Sequence, residues 1–298
     1  MYVPIRRLRY HVRTWGGPRG GEPALVLLHG WMDVSASWQF VVDALAHDRF
    51  IVAPDWRGFG LTDVPAADHY TFVEYLADLD FLLDQFAGPA QDAPVDLVGH
   101  SMGGHVAMLY AGARPGPARG PLNLEAFGMP ATKPAAAPRR IAQWMDELHG
   151  LHAGKIELRG YDSLAAVARR LMKTNPRLPP DRADWLAAEW ARQDDSGVWR
   201  ILGDAAHKIT SAHLFRLEEV QAHYAAISAP VLWVEASDDS LAKWWGPRFT
   251  RAEFHERLRH VPDLRRTVVQ DAGHMLHHDQ PQALALQLES FFGSSVRK

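Results

Sequence analysis

Short apolar runs alternate with longer amphipathic stretches along the first 130 residues of the chain. Residues 24–28, 50–53 and 95–99 are almost wholly apolar, as expected of strands that are buried on both faces of a parallel sheet. Between these runs, apolar residues at helical spacing predict helices over about 35–45 and 71–86. Strands that alternate with helices over short loops predict a parallel α/β sheet with helices on both faces.

The pattern changes near residue 130. From about residue 134 to residue 227, apolar positions follow helical spacing and no good strand pattern is present. Strand-like runs return at 230–235 and 267–269, and a helix over about 281–292 closes the chain. We therefore predict an α/β core in two parts, residues 1–129 and 229–298. An inserted helical cap at residues 130–228 separates the two parts.

One junction in this pattern carries candidate chemistry. The strand at 95–99 leads into Gly99-His100-Ser101-Met102-Gly103, which fits the pattern G-x-S-x-G, and a helical run follows at once. This context is that of a nucleophile elbow, a sharp turn that lifts a serine above the sheet. The glycines allow a strained backbone and a close approach of the neighbouring chain. We predict that Ser101 is a catalytic nucleophile.

A serine hydroxyl needs an adjacent base, which is usually a histidine oriented by a buried carboxylate. His274 is the best placed of the sixteen histidines, because it follows the last predicted strand and Gly273 permits a tight turn there. His277 and His278 lie close by and are rivals. They could suggest a metal site, but the sequence shows no second cluster of ligands, so we expect no metal and no cofactor.

Two carboxylates compete for the role of triad acid. Asp239 follows the strand that precedes the histidine, and Glu125 ends the strand that follows the elbow. The order serine, acid, histidine holds for both. We favour Asp239 and keep Glu125 as the alternative, with Asp238 behind them.

The proposed chemistry also needs an oxyanion hole, which is a pair of N–H donors beside the serine. Met102, the residue after the nucleophile, is expected to supply one backbone N–H. The other is assigned to the backbone N–H of Trp31, in the loop after the strand at 24–28.

Composition narrows the class of protein. The 298 residues are 47% hydrophobic and 22% charged, which is ordinary for a globular protein, and a chain of this length can bury a large core. The net charge of −3 gives no electrostatic case for binding nucleic acid or an anionic membrane. Cysteine is absent from the sequence, and no apolar run has the length of a membrane span or a signal peptide. We expect a cytoplasmic protein, and a homodimer is compatible with the sequence.

These motifs, in this order, resemble the α/β-hydrolase superfamily over essentially the whole chain. The matching segments are His29-Gly30-Trp31, Asp55-Trp56-Arg57-Gly58-Phe59-Gly60, Gly99-His100-Ser101-Met102-Gly103-Gly104 and Gly273-His274. The resemblance implies an eight-stranded, mostly parallel sheet with a helical cap inserted after the sixth strand. The cap is similar to that of the serine-hydrolase-like branch.

Related subfamilies sharpen the expectation. Haloalkane dehalogenases and epoxide hydrolases place an aspartate where this chain has Ser101, which argues against both. Residues 125–130 nevertheless resemble the dehalogenase segment that carries their acid, which keeps Glu125 in consideration. Proline iminopeptidases carry H-G-G-P-G where this chain has His29-Gly30-Trp31-Met32, so peptidase activity is disfavoured.

We therefore expect a serine hydrolase that cleaves a carboxylic ester of a small-to-medium hydrophobic substrate. A thioesterase, a lactonase or a C–C bond hydrolase with the same triad stays open, and so does a non-catalytic ligand-binding sensor. Apolar cap residues should line the pocket, whereas Arg169 and Arg170 are expected on a solvated surface. The candidate pocket residues are Trp144, Trp185, Trp190, Trp199, Met129, Met145 and Met172.

Overall fold

The computed structural model describes residues 1–19, 22–88, 94–116 and 118–294, so the last four residues of the predicted core lie outside the described part. The strands are β1 (Tyr2–Ile5), β2 (Leu8–Trp15), β3 (Ala24–Leu28), β4 (Ile51–Pro54), β5 (Val95–His100), β6 (Ala118–Leu124), β7 (Gly160–Tyr161), β8 (Ala191–Gln193), β9 (Trp199–Ile201), β10 (Val231–Ala236) and β11 (Leu264–Val269). The helices are α1 (Gln39–Val42), α2 (Phe72–Ala87), α3 (Met102–Ala113), α4 (Ala137–His152), α5 (Leu164–Thr174), α6 (Pro180–Trp190), α7 (Leu217–Ala226), α8 (Ser240–Trp245), α9 (Arg251–Leu258), α10 (Leu276–Asp279) and α11 (Pro281–Ser294). None of these described helices is both long and apolar enough to cross a lipid bilayer.

Within the described residues, the main sheet has eight strands in the order β1-β2-β4-β3-β5-β6-β10-β11. β2 runs antiparallel to β1 and β4, and every other pair is parallel. The expected eight-stranded, mostly parallel α/β sheet is therefore confirmed. Because parallel strands share an edge at their carboxyl ends, the turns after β3, β5, β6, β10 and β11 meet along one side of the sheet.

Two apolar clusters cover the two faces of this sheet. Alternate residues of β3 divide between them, with Val26 and Leu28 in one cluster and Leu25 and Leu27 in the other. Helices α2 and α3 pack in the first cluster, and α1 and α11 pack in the second. The central strands are buried on both faces, which explains why their sequences are apolar runs without alternation.

The segment between β6 and β10 contains helices α4 to α7, as the helical spacing predicts. It also contains a small antiparallel sheet in the order β7-β9-β8, so the expectation that this segment lacks strands was wrong. These strands span two or three residues each, too few to show a period of two in the sequence. The segment has an apolar cluster of its own, which includes Val167, Leu171 and Leu186. The cap boundaries at residues 130 and 228 stay a prediction.

Candidate active site

Ser101 lies at the turn between β5 and α3 in a backbone conformation that is rare for a residue with a side chain. Its φ is 51° and its ψ is −117°. Its amide donates a hydrogen bond to the carbonyl of Leu124 at 2.9 Å, which holds the turn against β6. A Cβ at Gly103 would lie 2.3 Å from the carbonyl oxygen of Leu28, so only glycine fits there. The strand, the strained turn and the glycine together expose the serine at the carboxyl edge of the sheet.

The turn after β3 packs directly on this serine. A Cβ at Gly30 would lie 3.2 Å from the Cβ of Ser101, so the backbones of the two turns are in close contact. His29 fixes the turn: its Nδ1 lies 2.7 Å from the carbonyl oxygen of Gly30, and its Nε2 accepts a hydrogen bond from the amide of Trp56 at 2.9 Å. His29 is thus a structural histidine that positions residues 30 and 31 beside Ser101.

Both residues predicted to form the oxyanion hole lie in these turns. Met102 is the first residue of α3, so its amide N–H has no acceptor within the helix. Trp31 follows Gly30, and its indole N–H donates to the carbonyl of His207 at 3.2 Å, which ties this turn to the segment between β6 and β10. The oxyanion hole formed by these two backbone amides stays a prediction.

His274 lies in the turn after β11, and a carboxylate faces its ring. Nδ1 of His274 is 3.6 Å from Oε2 of Glu125, whose side chain is fully buried. The other carboxylate oxygen of Glu125 accepts a hydrogen bond from the amide of Ala236 at 2.8 Å. The distance to the histidine is longer than a hydrogen bond.

Asp239 has a different position and a different role. Its side chain is 48% exposed and accepts a hydrogen bond from the amide of Ala242 at 2.9 Å, which caps the N-terminus of α8. Asp238 pairs with Arg177 at 2.7 Å on the surface. Of the carboxylates that the sequence left open, the structure therefore brings Glu125, and not the favoured Asp239, to the histidine ring.

Burial is the main influence on the pKa of His274. It lowers the pKa, and the nearby Glu125 carboxylate acts in the opposite direction, with a net pKa below the ordinary value of 6.5. The imidazole is therefore neutral near pH 7, which is the state that can accept a proton. The indole of Trp244 stands edge-on to the ring, with the ring centroids 4.1 Å apart, and it was not among the residues singled out from the sequence.

Ser101 and His274 line one cavity of about 470 Å³ between the sheet edge and the segment that follows β6. Most of the lining is apolar. Of the seven tryptophan and methionine positions predicted for the pocket, Trp190 lines this cavity and the other six do not. Arg170, expected on a solvated surface, is exposed and also lines the cavity. The apolar lining residues are Trp31, Met32, Leu158, Tyr161, Val167, Leu171, Leu178, Trp190, Ile201, Trp244 and Met275.

The comparison with known protein families agrees with this geometry. A family model described as "Alpha/beta hydrolase family" matches residues 25–287. The chain belongs to the alpha/beta hydrolase family. The match includes the elbow, the turn after β3 and the turn that carries His274.

Two curated relatives align along nearly the whole of this hydrolase. A "Serine hydrolase-like protein" of Danio rerio is 26% identical in an alignment 305 residues long, gaps included. This alignment covers 98% of this chain and 86% of the relative. A "2-(acetamidomethylene)succinate hydrolase" of Mesorhizobium japonicum is 26% identical and covers 97% of this chain and 93% of the relative. Among solved structures, the thioesterase domain from the curacin biosynthetic pathway superposes with a TM-score of 0.79 at 22% identity and covers 97% of each chain. That likeness shows the shared fold.

This hydrolase also buries polar groups that the sequence analysis did not connect. His277 and His278, the rivals of His274, are buried in α10. Nε2 of His277 lies 3.8 Å from Oδ2 of Asp33. The ring of His100 is tilted against the rings of both His274 and His277, with ring centroids 4.7 Å and 4.3 Å apart. His100 lies in the motif that was noted for Ser101, and Asp33 follows the segment 29–32. Only the folded chain shows that they meet.

Proposed function

We propose that this alpha/beta hydrolase is a serine hydrolase that cleaves a carboxylic ester through an acyl-enzyme. The observation that carries the proposal is the strained turn at Ser101, which shares a cavity with His274, while the buried carboxylate of Glu125 faces the far side of the histidine ring. Ser101 is the nucleophile, His274 the general base and Glu125 the triad acid. The family's curated relatives include a serine hydrolase-like protein, which supports this assignment.

The reaction proceeds in two halves. Oγ of Ser101 attacks the ester carbonyl as its proton passes to Nε2 of His274, and the resulting oxyanion accepts hydrogen bonds from the amides of Trp31 and Met102. The tetrahedral intermediate collapses, the C–O bond to the alcohol breaks, and His274 returns the proton to the departing alkoxide. Water then attacks the acyl-serine, with His274 again taking a proton, and the carboxylic acid leaves with Ser101 restored.

The buried carboxylate acts on the histidine rather than on the substrate. Glu125 faces Nδ1, which favours the tautomer with N–H on Nδ1 and leaves the lone pair of Nε2 for the serine proton. It also stabilises the imidazolium that forms in each half-reaction. Each oxyanion donor typically contributes about 2.7–4 kcal/mol to the transition state.

The cavity walls favour a substrate that has both an apolar part and an anionic group. Arg159, Arg170 and Lys208 line the cavity together with the apolar residues. Among the described residues no carboxylate pairs with these three cations; Lys208 donates to the carbonyl of Glu157 and Arg159 lies over the ring of Tyr161. A curated relative carries a succinate in its name, which is consistent with a carboxylate on the substrate. The sequence analysis expected a hydrophobic ester, and we add an anionic group to the proposed substrate.

Labelling with a fluorophosphonate probe tests the serine mechanism. Wild-type protein should be labelled at Ser101 and should hydrolyse short p-nitrophenyl esters, and Ser101→Ala should lose both properties. If Ser101→Ala keeps most of the esterase activity, the mechanism is wrong. If the wild type binds esters without turnover, the chain is a ligand sensor instead of an enzyme. Parallel assays with thioesters and lactones rank those bonds against oxygen esters.

A pair of matched esters tests the anionic group. p-Nitrophenyl butyrate and mono-p-nitrophenyl glutarate have similar length, but only the glutarate ester carries a terminal carboxylate. Arg170→Gln should lower kcat/KM for the glutarate ester about fivefold and leave the butyrate ester within about twofold, since an exposed charge contact contributes about 1 kcal/mol. Arg169→Gln is the matched control. Equal effects on the two esters would show that Arg170 does not recognise the carboxylate.

A further inference from the structure

A buried cluster of three metal-ligating side chains lies directly behind the nucleophile. Asp33 comes from the turn after β3, His100 ends β5, and His277 lies in α10. Their relative exposures are 3%, 2% and 0%. One ligating atom from each residue lies within 4.8 Å of the other two. The triad proposed for the hydrolase uses none of these three side chains.

Two of these side chains present lone pairs that meet no donor. Oδ1 of Asp33 accepts hydrogen bonds from the amide of Val34 at 2.8 Å and from the hydroxyl of Ser37, but Oδ2 has no hydrogen-bond partner among the described residues. Nε2 of His100 lies 2.7 Å from the carbonyl oxygen of His274, so it carries the proton and donates. Nδ1 of His100 is consequently a bare lone pair, and it too is unpartnered in the described part of the chain.

The third member leaves room for a shared cation. Both ring nitrogens of His277 are buried without a partner among the described residues. Nε2 of His277 is 3.8 Å from Oδ2 of Asp33. Buried acceptors that meet no donor are costly, and a cation at their meeting point removes that cost.

We propose that Asp33, His100 and His277 bind a divalent transition metal ion of the Zn²⁺ class. Two imidazoles and one carboxylate are donors that suit Zn²⁺, with a fourth position left for solvent. His100 already has the arrangement of a metal ligand, because its second nitrogen donates to a backbone carbonyl. Ligands at about 2.1 Å on a tetrahedral ion lie roughly 3.4 Å apart, so small side-chain rotations would close the site.

An entry path supports the site. Asp33 and His100 both line the cavity that contains Ser101, which gives an ion a route from solvent. The sequence analysis expected no metal because it found no second cluster of ligands beside His277 and His278. The fold brings Asp33 and His100 to His277 as further candidate ligands.

Metal binding at this site should inhibit the hydrolase. The ring centroids of His100 and His274 are 4.7 Å apart, and His100 is bonded to the backbone of His274. A dication here would disfavour the imidazolium that His274 must become during catalysis. The site is thus a means of inhibiting the enzyme, and it is separate from the serine mechanism itself.

Binding is measured first without catalysis, on chelator-treated Ser101→Ala protein titrated with Zn²⁺ by calorimetry and with Co²⁺ by absorption. We expect one tight site per chain and the visible bands of four-coordinate Co²⁺. Adding His277→Gln should weaken binding at least tenfold and remove those bands. His278→Gln, the adjacent buried histidine outside the cluster, is the matched control and should bind like the parent. Equal affinity in all three proteins, or no stoichiometric site, would overturn the proposal.

Inhibition is then measured on the wild type with its best ester. Stoichiometric Zn²⁺ should lower kcat at least tenfold, EDTA should restore it, and His277→Gln should shift the inhibiting concentration upward at least tenfold. Inhibition that is unchanged in His277→Gln would place the inhibitory ion elsewhere. Because binding is read on the serine-free variant, failure of the ester chemistry and failure of the metal site give different results.

Discussion

Replacing Glu125 by glutamine keeps the size of the side chain and removes the charge that faces His274. The amide can still accept the hydrogen bond from Ala236, which now reaches Oε1 at 2.8 Å, so the turn after β6 should hold its shape. Asp239→Asn is the matched control. Asparagine caps a helix about as well as aspartate, so α8 should lose little stability.

The magnitude follows from the distance. Opposite unit charges 3.6 Å apart attract by about 4.6 kcal/mol at an effective dielectric constant of about 20. This attraction exists only when His274 is protonated, so it stabilises the transition state and not the resting enzyme. At about 1.36 kcal/mol per tenfold change in rate, Glu125→Gln should lower kcat about 10³-fold. The side chain of Asp239 is half exposed and caps α8, so Asp239→Asn should change kcat less than about twofold.

The assay is steady-state hydrolysis of a p-nitrophenyl ester, with thermal unfolding of each variant to exclude loss of fold. Glu125→Asp should recover part of the lost activity, because a shorter carboxylate still carries the charge. The reasoning is refuted if Asp239→Asn loses hundredfold or more while Glu125→Gln stays within a few-fold of wild type. It is also refuted if kcat falls equally in Glu125→Gln and Asp239→Asn, since Glu125 would then have no special role beside the histidine.

Three further predictions follow from the structure. Because burial lowers the pKa of His274, kcat/KM should fall as pH drops through a midpoint below 6.5, and Glu125→Gln should move that midpoint lower still in a pH–rate profile. Burial lowers the pKa of His105 to about 4, so its imidazole is neutral in the native state. As the pH is lowered, the unfolded chain takes up the proton first, and the free energy of unfolding decreases. Denaturant titrations at about pH 7.5 and pH 5 give the free energy of unfolding that is lost between these two pH values. This loss should be about 2 kcal/mol smaller in His105→Leu than in the wild type. The Cβ of Gly103→Ala would lie 2.3 Å from a backbone oxygen, so this variant should lower the free energy of unfolding by about 1–3 kcal/mol or more in the same titrations. Gly17 has open space around it, so Gly17→Ala should leave the free energy of unfolding nearly unchanged.

The features that could be predicted from the sequence are those with a local cause. Buried strands appear as apolar runs. The turn at Ser101 can be recognised in the sequence because close backbone contact requires glycine at 99 and 103. The strands β7 to β9 were missed because two or three residues cannot show a period. The cluster of Asp33, His100 and His277 was not predicted because these residues belong to three distant segments of the chain. Only the folded chain shows that one ligating atom from each lies within 4.8 Å of the other two.

The choice between the two acids illustrates how register decides what local sequence leaves open. β5 and β6 are aligned so that His100 lies opposite Leu124, which places Glu125 directly beside the elbow. The amide of Glu125 donates to the carbonyl of Val234, and its side chain accepts from Ala236, so the residue is held between β6 and β10. Its φ of 53° turns the chain at that point. A carboxylate held in this way can face a histidine from the next turn with little loss of side-chain entropy, whereas one that caps an exposed helix would first have to give up its own hydrogen bond.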